Sequence, residues 1–320
     1  MTWLALRQFR VQGVAMAGLV GGLAVLFALA GRAGPAPTTL VNSLYYVGNT
    51  AIFVLPALLG AFWGAPLVAR EVEAGTHSLA WNQGITRGRW LATKVALVGG
   101  AAALLSGLAS LAVTWWATGA SQEAVVRMLP VTFGARGVAP AGYALFAFCL
   151  GLVVGILLRR VLPAMAVTLA VFLAVQIAVP ILVREHLVPA TQETVAISLE
   201  NLETVRLVNS GRPEDGVQEV GIRGPADAWV TERQLIDAAG NPTAVPQVLA
   251  SCLIKSYLTG ANRDELTTCT AQTAEAGYRQ RLSYHKASAF WPLQWTELGL
   301  FLALSGGLVW LAFRRIRKVH

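Results

Sequence analysis

Groups that could do covalent chemistry are sparse in this chain and do not converge. The four histidines, His77, His186, His285 and His320, are scattered, with no i, i+4 partner or neighbouring carboxylate at metal-ligand spacing. The phosphate-cradling pattern G-x-x-x-x-G-K-S/T does not occur, so nucleotide binding by that route is excluded. H-E-x-x-H, C-x-x-C and G-x-S-x-G are missing too. Ser, His and acidic residues coexist between 184 and 292, but no spacing ties them into a triad. The one dense polar pattern outside that segment is REVEAGTHSLAWNQGITRGRWLATK, from Arg70 to Lys94. It presents Glu71, Glu73, Gly75, Thr76, Leu79, Arg87 and Arg89 between two long apolar runs. Such a loop suits docking and force transmission: held at both ends by membrane helices, it can be pushed from outside the bilayer.

The elements that position this loop follow from composition. Hydrophobic residues make up 55% of the 320 and charged residues 13%, with mean hydropathy +0.56. Soluble domains run at about 45–50% apolar and about 25% charged, so this is an integral membrane protein. Apolar runs long enough to cross a ~30 Å hydrocarbon core lie at about 13–31, 47–69, 94–118, 139–158, 161–183 and 293–313, predicting six spans. None carries Asp, Glu, Lys or Arg near its centre, where each would cost roughly 2.5–3.5 kcal/mol. Glu297 comes nearest, close to the outer edge of the last span.

The net charge of +8 is unevenly placed. Residues 184–292 hold ten Lys and Arg against thirteen Asp and Glu, a net −3, and the remainder is +11. The basic excess therefore sits at span ends, where it sets topology and meets anionic lipid headgroups; it forms no face for nucleic acid. One set of short flanks holds twelve basic residues, among them Arg7, Arg10, Arg159, Arg160, Arg314 and Arg315, and the opposite set holds three, Arg32, Arg127 and Arg136. Both termini and the Arg70–Lys94 loop are thus expected on the cytoplasmic side of the plasma membrane. Aromatics are expected at the interfaces: Tyr45, Tyr46, Trp115, Trp116, Tyr143, Trp291 and Trp295 outside, and Trp3, Trp63, Trp90 and Trp310 inside. The first apolar run could also be read as a signal peptide, but it is longer than a typical one, and removing it would reverse the charge asymmetry. Residues 1–12 suit an amphipathic helix on the inner surface, or an ordinary cytoplasmic stub.

The expected architecture is an all-α polytopic membrane protein of six helices, with a small α+β extracytoplasmic domain between helices five and six. Its divisions are 1–12 (surface helix), 13–183 (spans one to five), 184–292 (outer domain) and 293–320 (last span and basic tail). Within the outer domain TVAIS and VRLV look like strands and PQVLASCLIKSYL like a helix. Cys252 and Cys269 both fall there and could form a disulfide on the oxidising face, or remain buried thiols; Cys149 is in the fourth span. Gly18 and Gly22, Gly60 and Gly64, and Gly151 and Gly155 are spaced for close helix packing, within the chain or at a dimer seam. Pro56, Pro66 and Pro180 can kink spans and free carbonyls toward a cavity. Gln176, a deep uncharged polar residue, could line a substrate path with Pro56 and Phe53, or make a helix-to-helix hydrogen bond.

The loop order E-x-E-x-G-T-x-x-L, then R-x-R-W and K, carried by Glu71, Glu73, Gly75, Thr76, Leu79, Arg87, Arg89, Trp90 and Lys94, resembles the permease subunits of type-2 ATP-binding-cassette exporters. Six spans, an inner-surface helix and cytoplasmic termini match that family. The stretch containing FWPLQWTE is similar to actinobacterial members with a large insert before the last span; more compact members lack that insert. The resemblance implies a non-enzymatic permease with a second permease copy or a paralogue. ATP and Mg would be bound and hydrolysed by separate P-loop subunits, and the Glu71–Leu79 segment would be the coupling helix seated on them. Two other classes fit the composition: a membrane sensor or immunity protein with an extracellular ligand-binding domain, and a membrane-anchored enzyme active in residues 184–292.

Overall fold

Apolar length decides the architecture before any packing does. The computed structural model describes residues 38–75, 86–120, 127–207, 216–225, 228–259 and 263–317, with Val14, Gly18, Gly21, Gly22 and Val25. Five helical stretches among these are long and apolar enough to cross a bilayer: Tyr46–Glu73, Arg87–Trp116, Ala139–Leu158, Val161–Leu187 and Ala287–Ile316. They correspond to the second through sixth expected spans and are named so below. The first span and the surface helix 1–12 lie outside the described residues, apart from the five isolated helical positions. The chain divides into two compact units, one of Met1–Leu187 with Phe290–His320, the other of Val188–Ala289.

In the first unit the fourth span, Ala139–Leu158, is the hub. Its apolar window is 78% buried, against 28% for the fifth span and 22% for the sixth. Small residues make this possible. A Cβ on Gly151 would lie 2.3 Å from the Gly60 carbonyl oxygen, and one on Gly64 would lie 2.3 Å from the Phe148 carbonyl oxygen. The two glycine pairs of the second and fourth spans therefore face each other, and the backbones touch. Nothing among the described residues lies within 4 Å of a Cβ built on Gly18 or Gly22, so that third pair makes no such contact there.

Proline positions shape the spans. The second span is α-helical over Thr38–Leu59 and again over Pro66–Glu73, with a π-turn at Gly60–Gly64 between them. Pro66 has no N–H for the usual i−4 carbonyl, and the Ala65 amide instead reaches Gly60 O at 3.0 Å. A second π-turn, Val179–Val183, contains Pro180 in the fifth span. Pro56 sits inside regular helix.

Several aromatics expected at the interfaces turn inward. Tyr143, Trp63, Trp90 and Trp116 are buried, whereas Tyr46, Trp115, Trp291, Trp295 and Trp310 are exposed on the protein surface. A helix end presents one flank to lipid and another to its neighbours, and position along the span does not say which flank a ring occupies.

The second unit is α+β. Strands β1 (Thr191–Ala196), β4 (Trp229–Ile236) and β5 (Arg279–His285) form an antiparallel sheet in the order β1-β5-β4, and β2 (Leu202–Leu207) pairs with β3 (Val217–Ile222). Gln280 joins the two sheets: its Oε1 accepts from Ile222 N at 2.7 Å and its Nε2 donates to Val220 O at 2.6 Å. Helices Gln247–Thr259 and Arg263–Glu275 are tied by the Cys252–Cys269 disulfide, with Cα atoms 6.5 Å apart. Ile197, Val220, Ile222, Leu249, Leu253 and Leu282 fill its core. Strands β1 and β2 and the first helix overlap the segments marked by residue pattern, β3, β4 and β5 lie outside them, and the unit's limits fall inside the polar stretch 184–292.

Candidate functional site

Two clusters of polar side chains stand out in the membrane unit. The first joins the ends of the second and third spans, at the mouth of the Arg70–Lys94 loop. Lys94 Nζ lies 2.5 Å from Glu71 Oε1, with the two side chains 6% and 17% exposed. The same ammonium sits 4.3 Å above the Trp90 ring, so it is held by a charge and a π-face together. Glu73 turns the other way. Its Oε2 accepts from the Val161 amide at 3.0 Å, at the start of the fifth span, where the first N–H groups have no intrahelical partner. Arg160, just before that helix, makes no side-chain cap of its own, and Glu73 supplies one from across the fold.

The loop stems are shaped locally. Thr86 caps Arg87–Lys94 by accepting from Arg89 N at 3.3 Å. Arg87 Nη1 donates to Arg317 O at 3.4 Å, tying the third span's start to the sixth span's end. Gly75, at φ +68°, ends the helix Pro66–Glu73 in a left-handed conformation that any side chain would strain.

The second cluster is deeper. Arg184 Nε donates to Glu297 Oε2 at 2.9 Å and Nη2 to Oε1 at 3.1 Å, a bidentate pair in which both side chains are 1% exposed. Tyr143 OH donates to Glu297 Oε1 at 2.6 Å. The guanidinium lies 4.1 Å over the Phe133 ring. Three spans thus meet at one neutral ion pair, the fourth through Tyr143, the fifth through Arg184 and the sixth through Glu297.

Phe133 is held in place by the short helix Pro130–Ala135, and Gln294 pins that helix to the fourth span. Its Oε1 accepts from Val138 N at 3.0 Å and Ala139 N at 2.8 Å, while Nε2 donates to Phe133 O at 3.0 Å. Gly137, at φ +71°, leaves room for this: a Cβ there would lie 2.8 Å from Gln294. Beside the pair is a cavity of about 10 Å³, lined by residues including Phe53, Tyr143, Phe172, Gln176 and Arg184. Among the described residues, no three His, Cys, Asp or Glu side chains come together in a way that could hold a metal ion.

Residues 1–184 match the model of the family described as ABC-2 membrane transporter related. The chain belongs to that family. Neither the curated proteins nor the solved structures yield a match. This ABC-2 relative is therefore a multi-pass membrane protein, of a kind that forms the membrane component of an ABC transporter.

In the ABC-2 frame, the sequence-marked residues separate into groups. Glu71 and Glu73 lie on one loop stem and Arg87 and exposed Arg89 on the other, with separate partners: Glu71 meets Lys94, Glu73 meets Val161 and Arg87 meets Arg317. Thr76 and Leu79 lie outside the described residues. Both glutamates bond within the chain. Gln176 and Phe53 meet directly, since Gln176 Nε2 donates to Phe53 O at 2.9 Å, and both line the cavity; Pro56 is not among its lining residues.

Sequence reasoning missed Arg184, Tyr143 and Gln294. It placed Arg184 at the start of the polar segment and Tyr143 at an interface, and it noted Glu297 only as a span-edge carboxylate. The usable signal was a lone Arg at one span end and a lone Glu at another, two charges whose burial would require that they be paired.

Proposed function

We propose that this chain is the permease subunit of an ATP-driven exporter in the plasma membrane, carrying amphipathic or hydrophobic cargo. Both termini and the Arg70–Lys94 loop lie in the cytoplasm, and the loop seats on a separate P-loop ATPase that binds ATP and Mg. A second permease copy or a paralogue completes the path. The observation that carries this reading is the Glu71–Lys94 pair together with the Glu73 cap on Val161: the second, third and fifth spans are joined at the loop's mouth. A push on the loop therefore reaches three spans at once. The ATPase-facing surface is the loop segment running through Gly75, Thr76 and Leu79, with exposed Arg89 beside it, while Glu71 and Glu73 bind the levers together. Cargo passes near Phe53, Pro56 and Gln176.

Purification of the full chain in native-like lipid tests the reading. A stoichiometric P-loop ATPase is expected to accompany it and to drive ATP-dependent flux in vesicles. Recovery without an ATPase, and without flux, would contradict it. The sensor reading draws on the second unit, which has its own core and disulfide. That reading predicts ligand binding by the chain with no ATP-dependent movement.

A further inference from the structure

With both termini cytoplasmic, the segments on that side hold twelve basic residues and only two carboxylates, Glu71 and Glu73. Both carboxylates already have partners within the chain, Lys94 Nζ for Glu71 and the Val161 amide for Glu73. The same contacts join the basic segments around the loop. Glu73 brings the Arg159–Arg160 turn to the end of the second span, Lys94 brings the third span to that end, and Arg87 Nη1 on Arg317 O adds the end of the sixth. Arg70, Arg89, Arg159 and Arg160 are exposed, and none of them makes an ion pair among the described residues.

Arg159 adds a second, independent observation. It ends the fourth span at φ +57°, and no other non-glycine residue among those described has a positive φ. A left-handed helix end favours glycine, because a Cβ there crowds the backbone. A long cation thus stands, exposed, where fold stability alone would prefer glycine, and strain of this kind marks a position held for what its side chain contacts.

We propose that the ATPase partner docks through an acidic surface, whose Asp and Glu side chains meet Arg70, Arg89, Arg159 and Arg160. The inference rests on the transport reading and names the chemistry of the partner's side. Guanidinium groups suit carboxylates, which they bind through two parallel hydrogen bonds. A basic docking surface would meet only cations and two carboxylates that are already bonded. Anionic lipid is the other source of counter-charge, but Arg70 and Arg89 stand on the two stems of the loop that seats on the ATPase.

The complex of the full chain with its copurifying ATPase, in phosphatidylcholine nanodiscs that supply no net lipid charge, tests this. Arg159→Lys with Arg160→Lys keeps both charges and adds primary amines, which a zero-length carbodiimide joins to carboxylates in direct contact. Mass spectrometry is expected to find these lysines joined to Asp or Glu of the ATPase. Binding should weaken about tenfold or more as NaCl rises from about 50 mM to about 500 mM. Arg159→Gly should raise the chain's unfolding temperature and still weaken ATPase binding several-fold, a pairing that a purely structural arginine would not produce. Lysines linked to ATPase amines but not to its carboxylates, affinity indifferent to salt, or unchanged affinity in Arg159→Gly would overturn this inference alone. So would ATPase binding that requires phosphatidylglycerol in the disc, which would give the arginines to lipid. A preparation with no ATPase would overturn it together with the transport reading.

Discussion

The Lys94–Glu71 and Arg184–Glu297 pairs use the same chemistry in different surroundings. At the loop mouth the glutamate keeps 17% of its surface and the lysine, 6% exposed, rests on an indole, so the carboxylate retains some water and the ammonium a π-face if the pair opens. Between the fourth, fifth and sixth spans both partners are 1% exposed, and opening would strand two charges. A partly wet pair can be remade during a transport cycle at little cost, whereas a dry one holds helices in fixed register. The membrane unit thus carries a releasable tie at the loop and a permanent one in its interior.

The sharpest way to break this contrast is to remove one charge from each pair. Glu297→Leu leaves Arg184 uncompensated and is expected to cost about 3–5 kcal/mol, seen as a large fall in thermal unfolding temperature in nanodiscs. Pairing it with Arg184→Met should restore most of the loss, since a buried pair replaced by apolar side chains is often neutral. Equal instability of the single and double variants would mean that the spans need the charges themselves.

The covalent tie in the second unit gives a scale for both. Cys252→Ser with Cys269→Ser opens a loop of 17 residues, and about 3 kcal/mol of stability should be lost in the chain-entropy account. Differential scanning calorimetry with and without reductant reads that loss. Lys94→Met comes next, with a cost of about 2 kcal/mol, since the Glu71 carboxylate left behind keeps only 17% of its surface. Its effect should show instead as ATP hydrolysis that continues while flux falls. A stability loss as large as that of Glu297→Leu would erase the distinction.

The smallest effect concerns Glu73. Glu73→Ala removes the cap on Val161 and should cost roughly 1 kcal/mol, while Glu73→Gln keeps an acceptor and should cost only a few tenths. Denaturation midpoints for the two variants check this, and equal losses would show that charge, not capping, holds the fifth span's start.

Legibility in the sequence followed length scale. Spans two to six were readable because a bilayer demands long apolar runs, and composition alone reveals those. The paired glycines of the second and fourth spans were readable as close-packing sites, but not as each other's partners, since spacing within one helix is silent about its neighbour. Two strand segments in the second unit, β1 and β2, were visible as local pattern, while the β1-β5-β4 order, which brings the first and last described strands side by side, was not. At the loop, residue order pointed to Glu71 and Glu73 as outward contacts. The structure gives each a partner within the chain that spacing could not show, since Lys94 is 23 positions away and Val161 is 88 positions away, beyond any helical periodicity. Arg184 and Glu297, 113 positions apart, were hidden for the same reason.

The central claim is that the loop after Glu73 faces an ATPase in the cytoplasm. Ala74→Cys tests it directly, because Ala74 is exposed with an ordinary φ of −83° and the substitution avoids the strained Gly75. Native background is low, with Cys149 buried and Cys252 bonded to Cys269. A membrane-impermeant maleimide should label the new thiol in inside-out vesicles and leave it untouched in intact cells, and added ATPase subunit should block the reaction. Labelling from the outside of intact cells would contradict the account.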